Sequence, residues 1–113
     1  MEDCLFCKIV KKEIHTEIVF ENDSLIAFKD INPQAPTHIL IIPKEHFASL
    51  TEIPEDKKGI LAELLLAARQ IAQEKGLTTG YRIVLNTGKE SGQAVFHIHF
   101  HLLGGRQMTW PPG

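Results

Sequence analysis

Three histidines recur at every second position in His97-Ile98-His99-Phe100-His101-Leu102. In an extended strand successive side chains point to opposite faces, so this spacing predicts that the three imidazoles share one face. Phe96, Ile98, Phe100 and Leu102 then share the other, which reads as a core face. Imidazole titrates near neutral pH and serves as nucleophile, proton donor or metal ligand. A strand rise of about 3.3 Å per residue puts the Cα atoms of His97 and His101 roughly 13 Å apart. One ion with bonds of about 2 Å would strain to reach both ends. The row must be divided between tasks.

Two other segments carry chemistry. Cys4 and Cys7 are the only cysteines and are spaced C-x-x-C. A redox motif of that form should follow a strand, and nothing before Cys4 can supply one. Two thiolates one helical turn apart instead offer two corners of a tetrahedral metal site. The loop Gly88-Lys89-Glu90-Ser91-Gly92-Gln93-Ala94 runs straight into the histidine row. Its glycines let backbone amides approach an anion, although the order does not match a Walker sequence.

Composition narrows the partners. At 113 residues the chain reads as a single domain, residues 1–113, large enough to bury a core. A formal net charge of −2 offers no basic face for nucleic acid or anionic membrane, so any phosphate site must be a local pocket. The longest purely apolar run, Ile39 to Ile42, is strand-sized. Met1-Glu2-Asp3 is acidic where a secretory signal is basic, and the expectation is a cytoplasmic protein. Asn22-Asp23-Ser24 then reads as a turn, not a glycosylation site.

The positioning elements follow from pattern. Asp3 is placed to cap a short helix through Lys8 to about Lys12, with Phe6, Ile9 and Val10 inward. Ile18 to Phe20 and Leu25 to Phe28 flank a turn and predict a hairpin. Thr37 to Pro43 is an apolar run of central-strand length. Pro54 marks the start of one long helix whose apolar residues, from Ile60 to Ala72, recur at helical spacing. Gly76 is its stop. Tyr81 to Thr87 and Val95 to Leu103 are two further strands. The class is α+β, a mostly antiparallel five-stranded sheet with the helices gathered on one side.

The sequence His97-Ile98-His99-Phe100-His101-Leu102-Leu103 resembles the His-φ-His-φ-His-φ-φ signature of the histidine triad (HIT) superfamily, φ being apolar. Asp30-Ile31-Asn32-Pro33-Gln34-Ala35-Pro36-Thr37-His38, Ile42-Pro43-Lys44-Glu45-His46, Gly80-Tyr81-Arg82 and the tail from Gly104 to Gly113 extend the likeness to the Hint branch, the purine nucleoside phosphoramidases. The resemblance implies a HIT-like fold whose sheet continues across a homodimer. It implies a hydrolase that cleaves the P–N bond of purine nucleoside 5′-phosphoramidates, and by extension aminoacyl adenylates, through a covalent nucleotidyl-histidine.

By that resemblance His99 is the nucleophile, with His101 handling the leaving-group proton and His38 supporting it. Asp30 holds the ribose, Phe6, Ile9, Phe28 and Ile31 clamp the base, and Asn86, Gly92, Gln93 and Ala94 lie on the phosphate side. Trp110 reaches toward the partner's site. Ala94 departs from the serine that many eukaryotic members carry. Cys4, Cys7, His46 and His97 complete a structural zinc site. No cofactor is required for the chemistry itself. Competing readings are a dinucleoside polyphosphate hydrolase, a purine-nucleotide-binding regulatory module with incidental turnover, and a metal-buffering protein.

Overall fold

In the computed structural model, which describes residues 3–113, Asn22 closes the first hairpin. Its Oδ1 accepts the backbone N–H groups of Ser24 at 2.8 Å and Leu25 at 2.9 Å, an Asx turn that reverses the chain. Met1 and Glu2, the acidic start noted above, lie outside the described residues. The hairpin joins β1 (Ile18–Glu21) to β2 (Leu25–Lys29), and β3 (Thr37–Pro43), β4 (Tyr81–Leu85) and β5 (Phe100–Gly104) complete one sheet. Its order is β1-β2-β3-β5-β4, and every neighbouring pair is antiparallel. With the short helix α1 (Leu5–Val10) and the long helix α2 (Gly59–Glu74), this is the expected α+β architecture.

The helices do not share one side of the sheet, as the sequence pattern had implied. Leu25, Ala27, Ile39, Ile41, Phe100 and Leu102 pack against Leu64, Ala68 and Ile71 of α2. The alternate residues Ile26, Phe28, Leu40 and Ile42 pack against Phe6 and Ile9 of α1. Both faces of β2 and β3 are therefore covered, and their sequences read as continuous apolar runs, with no polar alternation. Leu64 is fully buried, and truncating such a side chain to alanine costs about 2–5 kcal/mol.

Three boundaries differ from expectation. Cys4, not Asp3, caps α1: its Sγ accepts the Cys7 N–H at 3.4 Å. Pro54 opens a 3-10 turn over Glu55–Lys57, and α2 begins only at Gly59. Its end is as expected: Gly76 at φ 72° forms a Schellman stop, with Leu77 N–H bonded to Ala72 O at 3.0 Å. The third difference matters most. The final strand starts at Phe100, not Val95, and β4 ends at Leu85, its partner. Before Phe100 the chain bends, because tertiary hydrogen bonds replace the ladder: Ile98 N–H donates to Phe47 O at 2.7 Å, and Gln93 Nε2 to Val95 O at 3.0 Å.

Candidate active site and metal centre

That bend divides the histidine row. His101 lies in β5, paired with Leu40 of β3 and Val84 of β4. His97 and His99 precede the strand and are both buried. Ile98, Phe100 and Leu102 enter the core as expected, but Phe96 is 52% exposed because period-two alternation fails at the bend.

Tautomers can be read from fixed partners, since a carbonyl only accepts and an N–H only donates. His99 Nδ1 lies 2.8 Å from the His97 carbonyl, so Nδ1 carries the proton and Nε2 is bare. Gln34 N–H donates to His38 Nδ1 at 3.0 Å, so the His38 proton sits on Nε2. His38 Nε2 is 2.9 Å from His101 Nδ1 and donates to it, leaving His101 with an Nε2–H. The site thus offers a nucleophilic lone pair on His99 beside a proton donor on His101, whose ring centroids are 5.0 Å apart.

All three rings are held neutral at pH 7. Burial pushes His101 down to about 4, reinforced by His99 and His38 and opposed by Asp30. Burial also lowers His99, against the His97 carbonyl and Asp30, and lowers His38, against Asp30. Asp30 has its Oδ1 fixed by the Asn32 N–H at 2.8 Å, while Oδ2 lies 3.5 Å from His38 Nε2. Asp30, His38 and His101 converge closely enough to suggest a metal. The Gln34 N–H speaks against one, because it forces the His38 proton onto the nitrogen that would have to coordinate.

A cavity of about 300 Å³ opens at these groups. Phe6, Ile9, Phe28, Asp30, Ile31, Ala94, His99 and His101 line it, joining most of the expected pocket residues in one place. Phe6 packs edge-on against His99 at 5.1 Å and Phe28 at 5.6 Å, tying the apolar wall to the histidines. Four expected residues lie elsewhere. Asn86 directly follows β4. Gly92 N–H is bonded to Lys89 O within the loop. The Gln93 side chain is occupied by Gly88 N–H, Ala48 O and Val95 O, so it shapes the loop. Trp110 is 80% exposed on the tail, away from its own chain's cavity. The glycine loop is not the simple cradle expected, since the amides of Gly88, Ser91, Gly92 and Gln93 all have acceptors within it.

A second cluster sits behind the first. Cys4, Cys7, His46 and His97 place their ligand atoms within 4.8 Å of one another. His97 Nε2 donates to Pro43 O at 2.8 Å, which leaves Nδ1 bare toward the cluster. That nitrogen is 3.4 Å from Cys4 Sγ, 3.5 Å from Cys7 Sγ and 3.2 Å from His46 Nδ1, and Cys7 Sγ is 3.3 Å from His46 Nδ1. A tetrahedral zinc ion sets edges of about 3.3 Å for N···N and about 3.6 Å for N···S. The donor set and its spacing fit that ion. Without a cation, burial pushes the Cys7 thiol up and holds His97 down to about 4.

Sequence reasoning missed the Gln34 amide and the carbonyls of Pro43 and His97, which set the tautomers. Backbone groups carry no residue-type signal. It also missed Ile14, His15 and Thr16 on the cavity wall. Among the described residues, no helix is long and apolar enough to cross a membrane.

Comparison with known proteins agrees with this geometry. The HIT domain family matches residues 11–108. The fold superposes on the crystal structure of a HIT family hydrolase from Legionella pneumophila with a TM-score of 0.95 at 54% identity, covering 98% of this chain and 100% of that one. A 14 kDa zinc-binding protein of Zea mays is 53% identical over 111 residues, 96% of this chain and 87% of its own. Adenylylsulfatase HINT1 of Arabidopsis thaliana is 50% identical over 111 residues, 96% of this chain and 76% of its own. With the histidine row, the cavity and these likenesses in agreement, the chain belongs to the histidine triad (HIT) family, on its Hint-like branch.

Proposed function

We propose that this protein is a nucleotide hydrolase that cleaves the P–N bond of purine nucleoside 5′-phosphoramidates through a covalent intermediate on His99. The observation that carries the reading is the bare Nε2 of His99, created by the His97 carbonyl, on the wall of a nucleotide-sized cavity. His99 Nε2 attacks the α-phosphorus and the P–N bond breaks while His101 Nε2–H donates a hydrogen bond to the departing nitrogen, which takes up a proton from solvent water. Water then cleaves the N–P bond to His99 and releases the nucleoside monophosphate.

The Asp30 carboxylate accepts hydrogen bonds from the ribose hydroxyls. Phe6, Ile9, Phe28 and Ile31 enclose the base, and the 95% exposure of Ile31 at the rim leaves an apolar surface for the base to cover. Ala94, on the cavity wall, belongs to the phosphate side, while Gly92 and Gln93 act by shaping the loop that carries it and Asn86 follows β4. Zinc at Cys4, Cys7, His46 and His97 is structural, joining α1 to the bend that carries His99. The two thiols are unpaired and free to serve as its ligands.

A second leaving-group class has its own support. A relative at 50% identity is an adenylylsulfatase. Sulfate and carboxylate depart without a proton, which suits a neutral His101 and a methyl group at Ala94. Adenylyl sulfate and aminoacyl adenylates therefore join the candidate substrates.

The protein is proposed to act as a homodimer. β4 is an open sheet edge, and Tyr81 on it and Leu65 and Leu66 on α2 expose 40%, 44% and 51% of their surfaces. In the dimer Trp110 approaches the partner's cavity. A monomeric mass at micromolar concentration, with full activity, would overturn that assembly.

The deciding experiment is a substrate panel of adenosine 5′-phosphoramidate, adenylyl sulfate and diadenosine polyphosphates, run on wild type and His99→Ala. Hydrolysis of the first, lost in the variant, supports the reading. Turnover of the polyphosphates alone would replace it.

A further inference from the structure

Arg106 lies on the exposed tail after β5, outside the cavity, yet it connects to the reacting histidines through a chain of hydrogen bonds. Gly105 brings the tail close to the loop before β3: it has φ +93°, and a Cβ there would stand 2.9 Å from Pro36 Cβ. From this turn Arg106 Nε donates to the Gln34 carbonyl at 2.9 Å, while Nη1 is anchored on Gln107 O at 3.2 Å. Gln34 N–H in turn donates to His38 Nδ1, and His38 Nε2–H to His101 Nδ1.

We infer that Arg106 is a positioning residue: by holding Gln34 against His38 it sets the tautomers of His38 and His101, so that His101 presents a proton donor to the leaving group. A neutral imidazole places its proton according to its partners. If Gln34 turns away, His38 is free to carry its proton on Nδ1, and its bare Nε2 then faces His101 Nδ1. To avoid two opposed lone pairs His101 must move its own proton to Nδ1. Its Nε2 becomes an acceptor and can no longer donate a hydrogen bond to the departing amine. His38 is only 7% exposed, so water is a poor substitute for the lost amide.

The rest of the loop survives without Arg106, because the Asn32 N–H remains on Asp30 Oδ1 and Gln34 Nε2 on Asn32 O. The variant removes an anchor and leaves the fold. The catalytic consequence rests on the function proposed above, but the tautomer assignment does not.

The test uses the zinc-loaded, full-length protein with ¹⁵N-labelled histidine. Long-range ¹H–¹⁵N correlations should find Nε2–H on both His38 and His101 in wild type. In Arg106→Met both should shift to a mixed or Nδ1–H population, while His99, held by the His97 carbonyl, stays Nδ1–H. Arg106→Lys, which keeps a charged donor, should restore part of the original pattern. Turnover of an alkyl phosphoramidate should fall about 10- to 100-fold in kcat with little change in KM. Adenylyl sulfate, whose leaving group needs no proton, should change less than about twofold. Unchanged tautomers of His38 and His101 in Arg106→Met would overturn the inference, as would an equal loss on both substrates. Shifted tautomers in a protein that hydrolyses neither substrate would uphold the positioning role and remove the proposed function instead.

Discussion

The carbonyl of His97 accepts a hydrogen bond from His99 Nδ1 at 2.8 Å, so one residue serves both centres of the molecule. Its ring faces two cysteines, and its backbone fixes which nitrogen of His99 is bare. The structural cluster and the reactive imidazole are thereby joined through a single residue.

His99→Ala should abolish turnover while nucleotide binding survives, because it removes the bare Nε2 that forms the covalent intermediate. His101→Ala should lose about 10²–10⁴-fold, the range for an acid/base partner. Rates and equilibrium binding of a nucleoside monophosphate check both. Near wild-type turnover by His99→Ala would reassign the nucleophile.

Elemental analysis should find one zinc per chain. Chelation, or Cys4→Ser with Cys7→Ser, should lower the melting temperature by about 10 °C or more, the shift for roughly 2 kcal/mol in a domain of this size. The rate per folded molecule should change less. Metal-free protein with unaltered stability would rule the site out.

Acidification should destabilise the fold through His101. Its ordinary value of 6.5 falls to about 4 on folding, so between these values the unfolded chain binds more protons and stability rises with pH. The contribution is complete above pH 6.5 and is lost as pH falls toward 4. Melting temperature against pH should be steeper in wild type than in His101→Asn. Parallel curves would show that His101 does not supply the slope.

Ala94→Ser adds a hydroxyl at the cavity wall. A hydrogen bond from it to an amine leaving group, worth about 0.5–1.5 kcal/mol, should speed poor leaving groups by roughly tenfold at most. Activated ones should respond little. A uniform change across a leaving-group series would show that residue 94 does not meet the departing group.

Residue type and spacing alone determined the α+β class, β3 to its exact limits, the end of α2 at Gly76, the histidine row and the Cys4/Cys7 half-site. These are readable because apolar period, glycine at positive φ and ligand chemistry are local properties of the chain. Strand length required only that the histidine row be divided, and the task of each histidine came from the resemblance to the HIT superfamily. His97 leaves the row at a bend set by Phe47 O and Gln93, partners 51 and two residues away from the atoms they bind. The side of the sheet taken by α1, and the tautomers set by Gln34, Pro43 and His97, likewise arise from backbone groups meeting across the fold. Every residue has the same amide and carbonyl, so only tertiary structure decides which of them reaches a histidine.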